Sequence, residues 1–380
     1  MTPKDALTNP VFCPMPWTGL MYNFDGRVKN CIRSAEVIGN ICDSPIEEIV
    51  VGPKNSTRQS MILDKVSTEN CRPCHELEIG KKSFDIISDR VFYIRELKDV
   101  PMHTYRAHNF DLQTIDVRWT NLCNQACVYC GPEFSSKWAS ELNIRPRTPT
   151  DEQRAKFKEY IFQHSQQLKH VYMAGGEPLL MKENLELLDL IGPDVNLRIN
   201  TNLGKVDTQI FERICKFQNV HWIVSLETIE EEYEYIRYGG SWKDFLSNLK
   251  HIKTLGHKIS FNMLYFLLNY NSLFECIDFL KAMGFHNNSF VLGALLNPEY
   301  LNIRNLPNDV LQSLKQTLAD RINQHPGFLL EDGYVNLLNY IATPYRADLD
   351  NAFKKLAEMD RRRNINGSKI FKDLYKLKGN

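Results

Sequence analysis

Three cysteines, Cys123, Cys127 and Cys130, lie in the stretch NLCNQACVYCGPEF with the spacing C-x3-C-x2-C. Thiolates this close sit on one tight loop and suit soft metals, either zinc or the irons of an iron–sulfur cluster. Both kinds of centre usually take four protein ligands, and no fourth cysteine follows closely. The residues alone leave two readings open. The set holds zinc or is simply three buried cysteines, or it holds three irons of a [4Fe–4S] cube and leaves the fourth iron to a small-molecule chelate.

Cys13, Cys31, Cys42, Cys71 and Cys74 crowd the first fifth of the chain, which is also rich in Pro, Gly and Asn and poor in long periodic runs. That composition reads as a small module held by metal rather than by a core. Cys71-x2-Cys74 is a metal-type pair, whereas Cys42 has no such partner and is placed outside any ligand shell. His75 and His103 read as surface or connector histidines. Cys215 shares a helical face with Phe211, and Cys276 shares one with Leu273, Ile277 and Leu280. Both therefore read as small core residues.

Elements must position these groups. Six β-type runs, TIDVRWT, HVYMAGG, NLRINTN, VHWIVSLE, KISFNMLYF and SFVLGALL, alternate with helical patterns. Thr150 with Gln153 reads as a capping box, Ser241 opens a helix, and Gly192-Pro193, Gly256 and Gly284 end helices. The alternation predicts a parallel α/β sheet, open or curled into a partial barrel, with ligands at the C-terminal strand ends. The cysteine triplet follows the first run. Gly175-Gly176-Glu177-Pro178 follows the second. Asn200, Thr201 and Asn202 close the third, Ser225 and Glu227 the fourth, while Asn262 and Gly293 lie in the fifth and sixth. Earlier, Asp25-Gly26 predicts a hairpin. After about residue 298 the pattern is helical, and FKKLAEMDRRR reads as a solvated surface helix with a break near Gly367.

Together, the triplet with its open ligand position and the GGEP segment resemble the radical S-adenosylmethionine (SAM) superfamily. The resemblance implies a partial (βα)6 barrel over residues 113–297 and a [4Fe–4S] cluster on Cys123, Cys127 and Cys130 whose open iron binds SAM. It assigns SAM contacts to Tyr129, Gly175, Gly176, Glu177, Pro178, Asn200, Asn202, Ser225, Glu227, Arg237, Asn262 and Gly293. For Arg237 a surface ion pair with Glu234 is the alternative. The spacing Cys13-x12-Gly26-x4-Cys31 with Cys71-x2-Cys74 is similar to SPASM/twitch modules. By that likeness Cys13, Cys31, Cys71 and Cys74 hold one auxiliary [4Fe–4S] cluster, with a zinc ribbon as the alternative. Such modules usually follow the barrel, whereas here the cysteines precede it. The implied layout is a twitch-like module at 1–80, a connector at 81–112, the core, and a helical extension at 298–380.

The implied activity is that of a radical SAM oxidoreductase giving net oxidation or cross-linking of a peptide or peptide-like substrate. The alternatives are a dehydrogenase or epimerase of a sugar, alcohol or nucleotide, and a zinc- or Fe–S-stabilised binding protein. A flavodoxin- or ferredoxin-type reductant is the expected electron donor. Composition agrees with a globular protein: 380 residues, 46 basic against 46 acidic, 43% hydrophobic. Zero net charge argues against a dedicated nucleic-acid binder. No apolar run reaches ~18 residues, so no membrane span is expected. No secretory signal is apparent, and a cytoplasmic location follows.

Overall fold

The computed structural model describes residues 6, 9–79, 88–96, 105–324 and 329–378. They divide into two compact units. The first comprises residues 1–122, 145–198 and 209–220; the second comprises 123–144, 199–208 and 221–380.

In the first unit, strands β1 (Gly19–Tyr22), β2 (Arg27–Lys29), β3 (Gly39–Asn40), β4 (Thr114–Val117), β5 (His170–Met173) and the start of β6 (Asn196–Thr201) are ordered β3-β2-β1-β4-β5-β6. The predicted hairpin is present: β1 and β2 are antiparallel, and Gly26 makes the turn at φ +86°, where a side chain would be strained. β1 is parallel to β4, and β4 to β5, in one continuous register. Ile115, Val117, Val171, Met173 and Leu197 alternate along β4–β6 as a buried apolar face, while Asp116, Tyr172 and Arg198 line the other.

The N-terminal segment contributes to a hydrophobic core, which its composition did not imply. All four residues of β1 are buried, so both of its faces are covered, and β2 and β4 pair with its two edges. Phe12 and Trp17 join Ile62, Ile94 and Tyr105 in a single hydrophobic cluster that spans residues before and after position 80. Within the expected connector, Ser88 caps a helix, Asp89–Arg95, by accepting from the Val91 amide. His103 lies outside the described residues.

In the second unit the order is β6, β7 (Val220–Ser225), β8 (Lys258–Tyr265) and β9 (Phe290–Ala294), with β7–β8 and β8–β9 parallel. All six predicted strands from 114 onward thus form, and the fold is the expected α/β class with a parallel sheet. The helix signals hold as well. Thr150 and Gln153 make a capping box in the first unit, Ser241 caps Trp242–Thr254 in the second, and Gly256 and Gly284 take positive φ after their helices. Helices Asn308–Gln324, Leu329–Ala342 and Leu349–Arg363 make up most of the C-terminal part. Among the described residues no helix is long and apolar enough to cross a membrane.

Candidate active site

The cysteine triplet lies in the second unit on the loop before helix Ser136–Leu142. The Cys130 amide donates to the Cys127 carbonyl at 2.9 Å, which closes the turn. Ser135 Oγ donates to the Gln125 carbonyl at 2.6 Å, and Trp138 Nε1 donates to the Cys127 carbonyl at 2.7 Å. The loop is therefore held from behind by the helix that follows it. Asn202 Nδ2 lies 3.7 Å from Cys123 Sγ and 2.9 Å from Asn124 Oδ1; Arg237 Nη1 lies 3.9 Å from Cys127 Sγ. Burial raises the Cys127 thiol, against the pull of Arg237. It also pushes Cys130 up to about 12, with Cys127 adding to the effect. A bound metal displaces such protons outright. Three soft donors on one braced loop, with side-chain N–H groups aimed at two of the sulfurs, fit a cube that takes three protein ligands.

Arg237 does not pair with Glu234, whose carboxylate instead accepts from the Trp242 amide at 2.9 Å. Its guanidinium forks onto Glu227 at 2.8 and 2.7 Å, and Nη2 also donates to Tyr129 Oη at 2.7 Å. Tyr129 Oη donates in turn to Glu227 at 2.9 Å. The ion pair is almost wholly buried, with side chains 3% and 2% exposed. Removing one partner of such a pair strands a charge in the interior. Glu227, Arg237 and Tyr129 thus form one closed network behind the cysteine loop. Two of its members, Tyr129 and Arg237, reach that loop directly.

Ser225 ends β7 opposite Asn262 of β8, and Gly293 of β9 pairs with Leu264. Asn262 is exposed, while Ser225 and Gly293 are half-buried. A Cβ placed on Gly293 would meet only Leu264, at 3.9 Å, so this strand position has open space beside it. Asn200 keeps a buried Oδ1 with no hydrogen-bond partner. A buried acceptor left unsatisfied is a candidate ligand contact.

The GGEP segment lies in the first unit at the end of β5. Gly175 takes φ +112°, and a Cβ on Gly176 would lie 2.2 Å from the Leu122 carbonyl oxygen. The Glu177 amide donates to that same oxygen at 2.7 Å, and its buried side chain accepts from the Leu179 amide at 3.2 Å. The two glycines and Glu177 therefore stitch this strand end to the residue that directly precedes Cys123. Pro178 opens the short 3-10 turn that follows.

Cys13, Cys31 and the pair Cys71 and Cys74 come from three stretches of the first unit. Burial raises the Cys13 thiol, and Cys31, Cys71 and Cys74 raise it further. Burial pushes Cys31 up to about 11, with Cys74 and Cys71 contributing. The four thiols thus lie within electrostatic reach of one another. Backbone N–H groups of Met15, of Ser34 and Arg33, and of Arg90 point at Cys13, Cys31 and Cys74 respectively. No three His, Cys, Asp or Glu side chains among the described residues converge as ligands of a single ion would. A [4Fe–4S] cube spreads its ligands over four irons rather than one. Cys42 feels Arg147, Asp43 and Asp25 but none of the other cysteines.

Cys276 is fully buried as predicted, but Cys215 sits just past the helix Gln209–Ile214 and is only half-buried. His75 is half-buried, with Nδ1 3.3 Å from Ser67 Oγ. The basic run at 361–363 is not simply solvated. Arg363 is buried, stacks 4.5 Å from the Trp138 and Tyr238 ring centroids, and donates to Glu141 at 3.0 Å. Arg362 donates to the same carboxylate at 2.5 Å. The C-terminal helix therefore clamps the helix behind the cysteine loop. The charge run signalled only solvent, because Glu141 lies far away in sequence.

The radical SAM superfamily model matches residues 117–280. GTP 3',8-cyclase of Campylobacter lari is 23% identical over 230 residues, covering 57% of this chain and 68% of that protein. The same enzyme of Sulfurimonas denitrificans is 24% identical over 173 residues, 43% of this chain and 51% of that protein. The 7-carboxy-7-deazaguanine synthase of Clostridium acetobutylicum is 36% identical over 91 residues, 23% of this chain and 37% of that protein. Against the last two, then, the chain matches about half or less of their length. Among solved structures, anSMEcpe with bound AdoMet aligns with a TM-score of 0.42 and 13% identity over 56% of this chain and 60% of that one. SuiB of Streptococcus suis bound to the precursor peptide SuiA aligns at 0.41 and 16% over 71% and 60%. These superpositions are too loose to bear on function. Radical SAM domains use a [4Fe–4S] cluster and SAM. The family match begins at the last residue of β4 and runs through the cysteine loop into the helix after β8, so residues 117–280 resemble a radical SAM superfamily domain.

Proposed function

We propose that this chain cleaves SAM reductively and uses the resulting radical to abstract hydrogen from a small molecule. The observation that carries the reading is the braced loop with three thiols and two side-chain donors on their sulfurs. Cys123, Cys127 and Cys130 hold the cluster in this reading. When bound, the cluster and SAM together supply a 5′-deoxyadenosyl radical. The chain's own residues bind and orient. Gly175 and Gly176 let backbone approach the cosubstrate, and Glu177 and Pro178 fix that strand end. Asn200, Asn202, Ser225 and Asn262 offer hydrogen bonds from strand ends, and Gly293 leaves room for a flat ring. Tyr129, Glu227 and Arg237 act mainly on each other, holding the loop and placing a guanidinium beside Cys127.

Cys13, Cys31, Cys71 and Cys74 are proposed to carry the auxiliary cluster, and a flavodoxin or ferredoxin to supply electrons. Of the two substrate classes that the resemblance left open, the small-molecule one is favoured. The curated relatives are named for GTP and for a deazaguanine, and none is named for a peptide. Anaerobic reconstitution with iron and sulfide, followed by dithionite and SAM, tests the reading. The expected products are 5′-deoxyadenosine and methionine. Release of S-adenosylhomocysteine alone would replace it with methyl transfer, and stoichiometric zinc without iron would replace it with a structural site.

A further inference from the structure

The polar face of the first unit's sheet carries charged side chains that the reading above does not use. Lys29, Met21, Asp116 and Tyr172 stand in one cross-strand row, set by the registers of β2, β1, β4 and β5. Arg118 lies two residues beyond Asp116 on the same face and pairs with it at 3.1 and 3.2 Å. Its Cα and Cβ lie 3.3 and 3.2 Å from where a Cβ on Gly175 would be, so this row borders the GGEP strand end. Arg198 of β6 stands 5.4 Å from the Tyr172 ring centroid and 5.6 Å from that of Phe92, on the helix Asp89–Arg95.

The charges on this face do not cancel. Arg118 is matched by Asp116. Arg33 is matched by Asp89 at 2.6 Å and also faces Cys74 and Cys31. Among the described residues Arg198 has only the far oxygen of that same Asp89 as an ion-pair partner, at 4.0 Å, its buried Nε has no hydrogen-bond partner, and Asp116 is the other carboxylate that feels its charge. His170 adds no charge, because burial, with Arg198 and Lys169, pulls it down to about 4. Lys29 donates to the Ser34 carbonyl at 3.0 Å and adds a further cation. Two aromatic rings thus hold a planar guanidinium at the edge of a half-buried face, with its hydrogen-bonding capacity largely unspent. A guanidinium fork in that state matches an oxyanion.

We infer that Arg198, with Arg118 across Asp116 and Tyr172 from it, is the seat for an oxyanion of the substrate, so that the substrate class is a small molecule bearing a phosphate or carboxylate. The inference rests on the small-molecule reading proposed above and gives it a recognition group. Asp116 limits how tightly the anion is held, and Tyr172 and Phe92 present flat faces beside it.

The test is calorimetry on the anaerobically reconstituted full chain with three probes: SAM, inorganic pyrophosphate and succinate. Pyrophosphate binding without succinate binding identifies a phosphate seat. The converse identifies a carboxylate seat, and binding of both supports a general oxyanion seat. Arg198→Gln is expected to weaken the bound oxyanion at least tenfold, with partial recovery in Arg198→Lys. Asp116→Asn, which removes a competing negative charge, is expected to tighten it severalfold. Protein that binds SAM but neither oxyanion would overturn the inference and leave the SAM reading intact. So would equal oxyanion affinity in wild type and Arg198→Gln, or weakening in Asp116→Asn. Failure to bind SAM would instead count against the function proposed above.

Discussion

The two cysteine sets solve the same problem in opposite ways. Cys123, Cys127 and Cys130 come from one short loop, and beside the backbone N–H groups of Cys127 and Gly131 they have side-chain donors from elsewhere, Asn202 and Arg237. Cys13, Cys31 and the pair Cys71 and Cys74 come from three distant stretches, and three of their sulfurs have backbone N–H donors. Each set also leans on a buried arginine–glutamate pair. Arg237–Glu227 stands behind the triplet. Near the quartet, Arg90 pairs with Glu78 at 2.5 Å and donates to the Phe12 carbonyl at 2.8 Å, tying the segment of Cys13 to that of Cys74. Cluster potential follows charge and hydrogen bonds to sulfur. Single side-chain substitutions can therefore remove hydrogen bonds at the triplet, whereas at the quartet they reach the sulfurs through charge, as at Arg33.

Removing the ligands should break the comparison most sharply. The reconstituted protein should hold about eight irons if each set carries a four-iron cluster. Replacing Cys123, Cys127 and Cys130 by Ala should leave about four irons and abolish 5′-deoxyadenosine release. Replacing Cys13, Cys31, Cys71 and Cys74 should also leave about four irons but spare SAM cleavage. Iron analysis beside chromatography of the products reads both, and equal loss of SAM cleavage in the two variants would merge the roles.

The buried ion pairs come next. Glu227→Gln should cost about 3–5 kcal/mol, because it leaves Arg237 charged and unmatched in the interior. Glu78→Gln should cost less, since that pair is more exposed at 6% and 12%. Urea midpoints of the two apo-proteins check the order. Gly176→Ala should cost about 1–3 kcal/mol of local strain, since its Cβ would strike the Leu122 carbonyl. Here the expected readout is weaker SAM binding with little loss of iron.

A pH scan sharpens the likeness between the sets. Cys130 and Cys31 both have folded-state thiols raised by burial, to about 12 and about 11. Folding therefore favours their protonated forms. The stability this gives is full below the unfolded thiol value of about 8.5 and is lost as pH rises toward the folded values. Apo-protein should lose stability above about pH 8.5 by thermal melting, and the Cys130→Ala and Cys31→Ala variants should each flatten that slope. The smallest effect is expected outside both sets: Cys276→Ala and Cys215→Ala should keep substrate turnover. Loss of product with intact SAM cleavage in either variant would make that thiol a hydrogen donor.

Local features explain what was legible in advance. The six strands, the Asp25-Gly26 hairpin, the Thr150 capping box and the helix-ending glycines depend on neighbours in sequence, and each formed where its residues indicated. The triplet was legible for the same reason. Sequence alone thus determined the α/β class, the cysteine loop and the GGEP strand end, because all three rest on short-range spacing. It did not show that β1 would join β4, since a four-residue strand carries no mark of its partner. Nor did it show that Glu227 rather than Glu234 would take Arg237, or that Arg363 would fold onto Trp138 and Glu141. The charges facing Tyr172 went unread because Asp116 and Arg198 look like ordinary alternating strand residues. Only tertiary structure decided these pairings: a buried charge is matched by whatever the packed chain brings within about 3–4 Å, and sequence separation does not enter that balance.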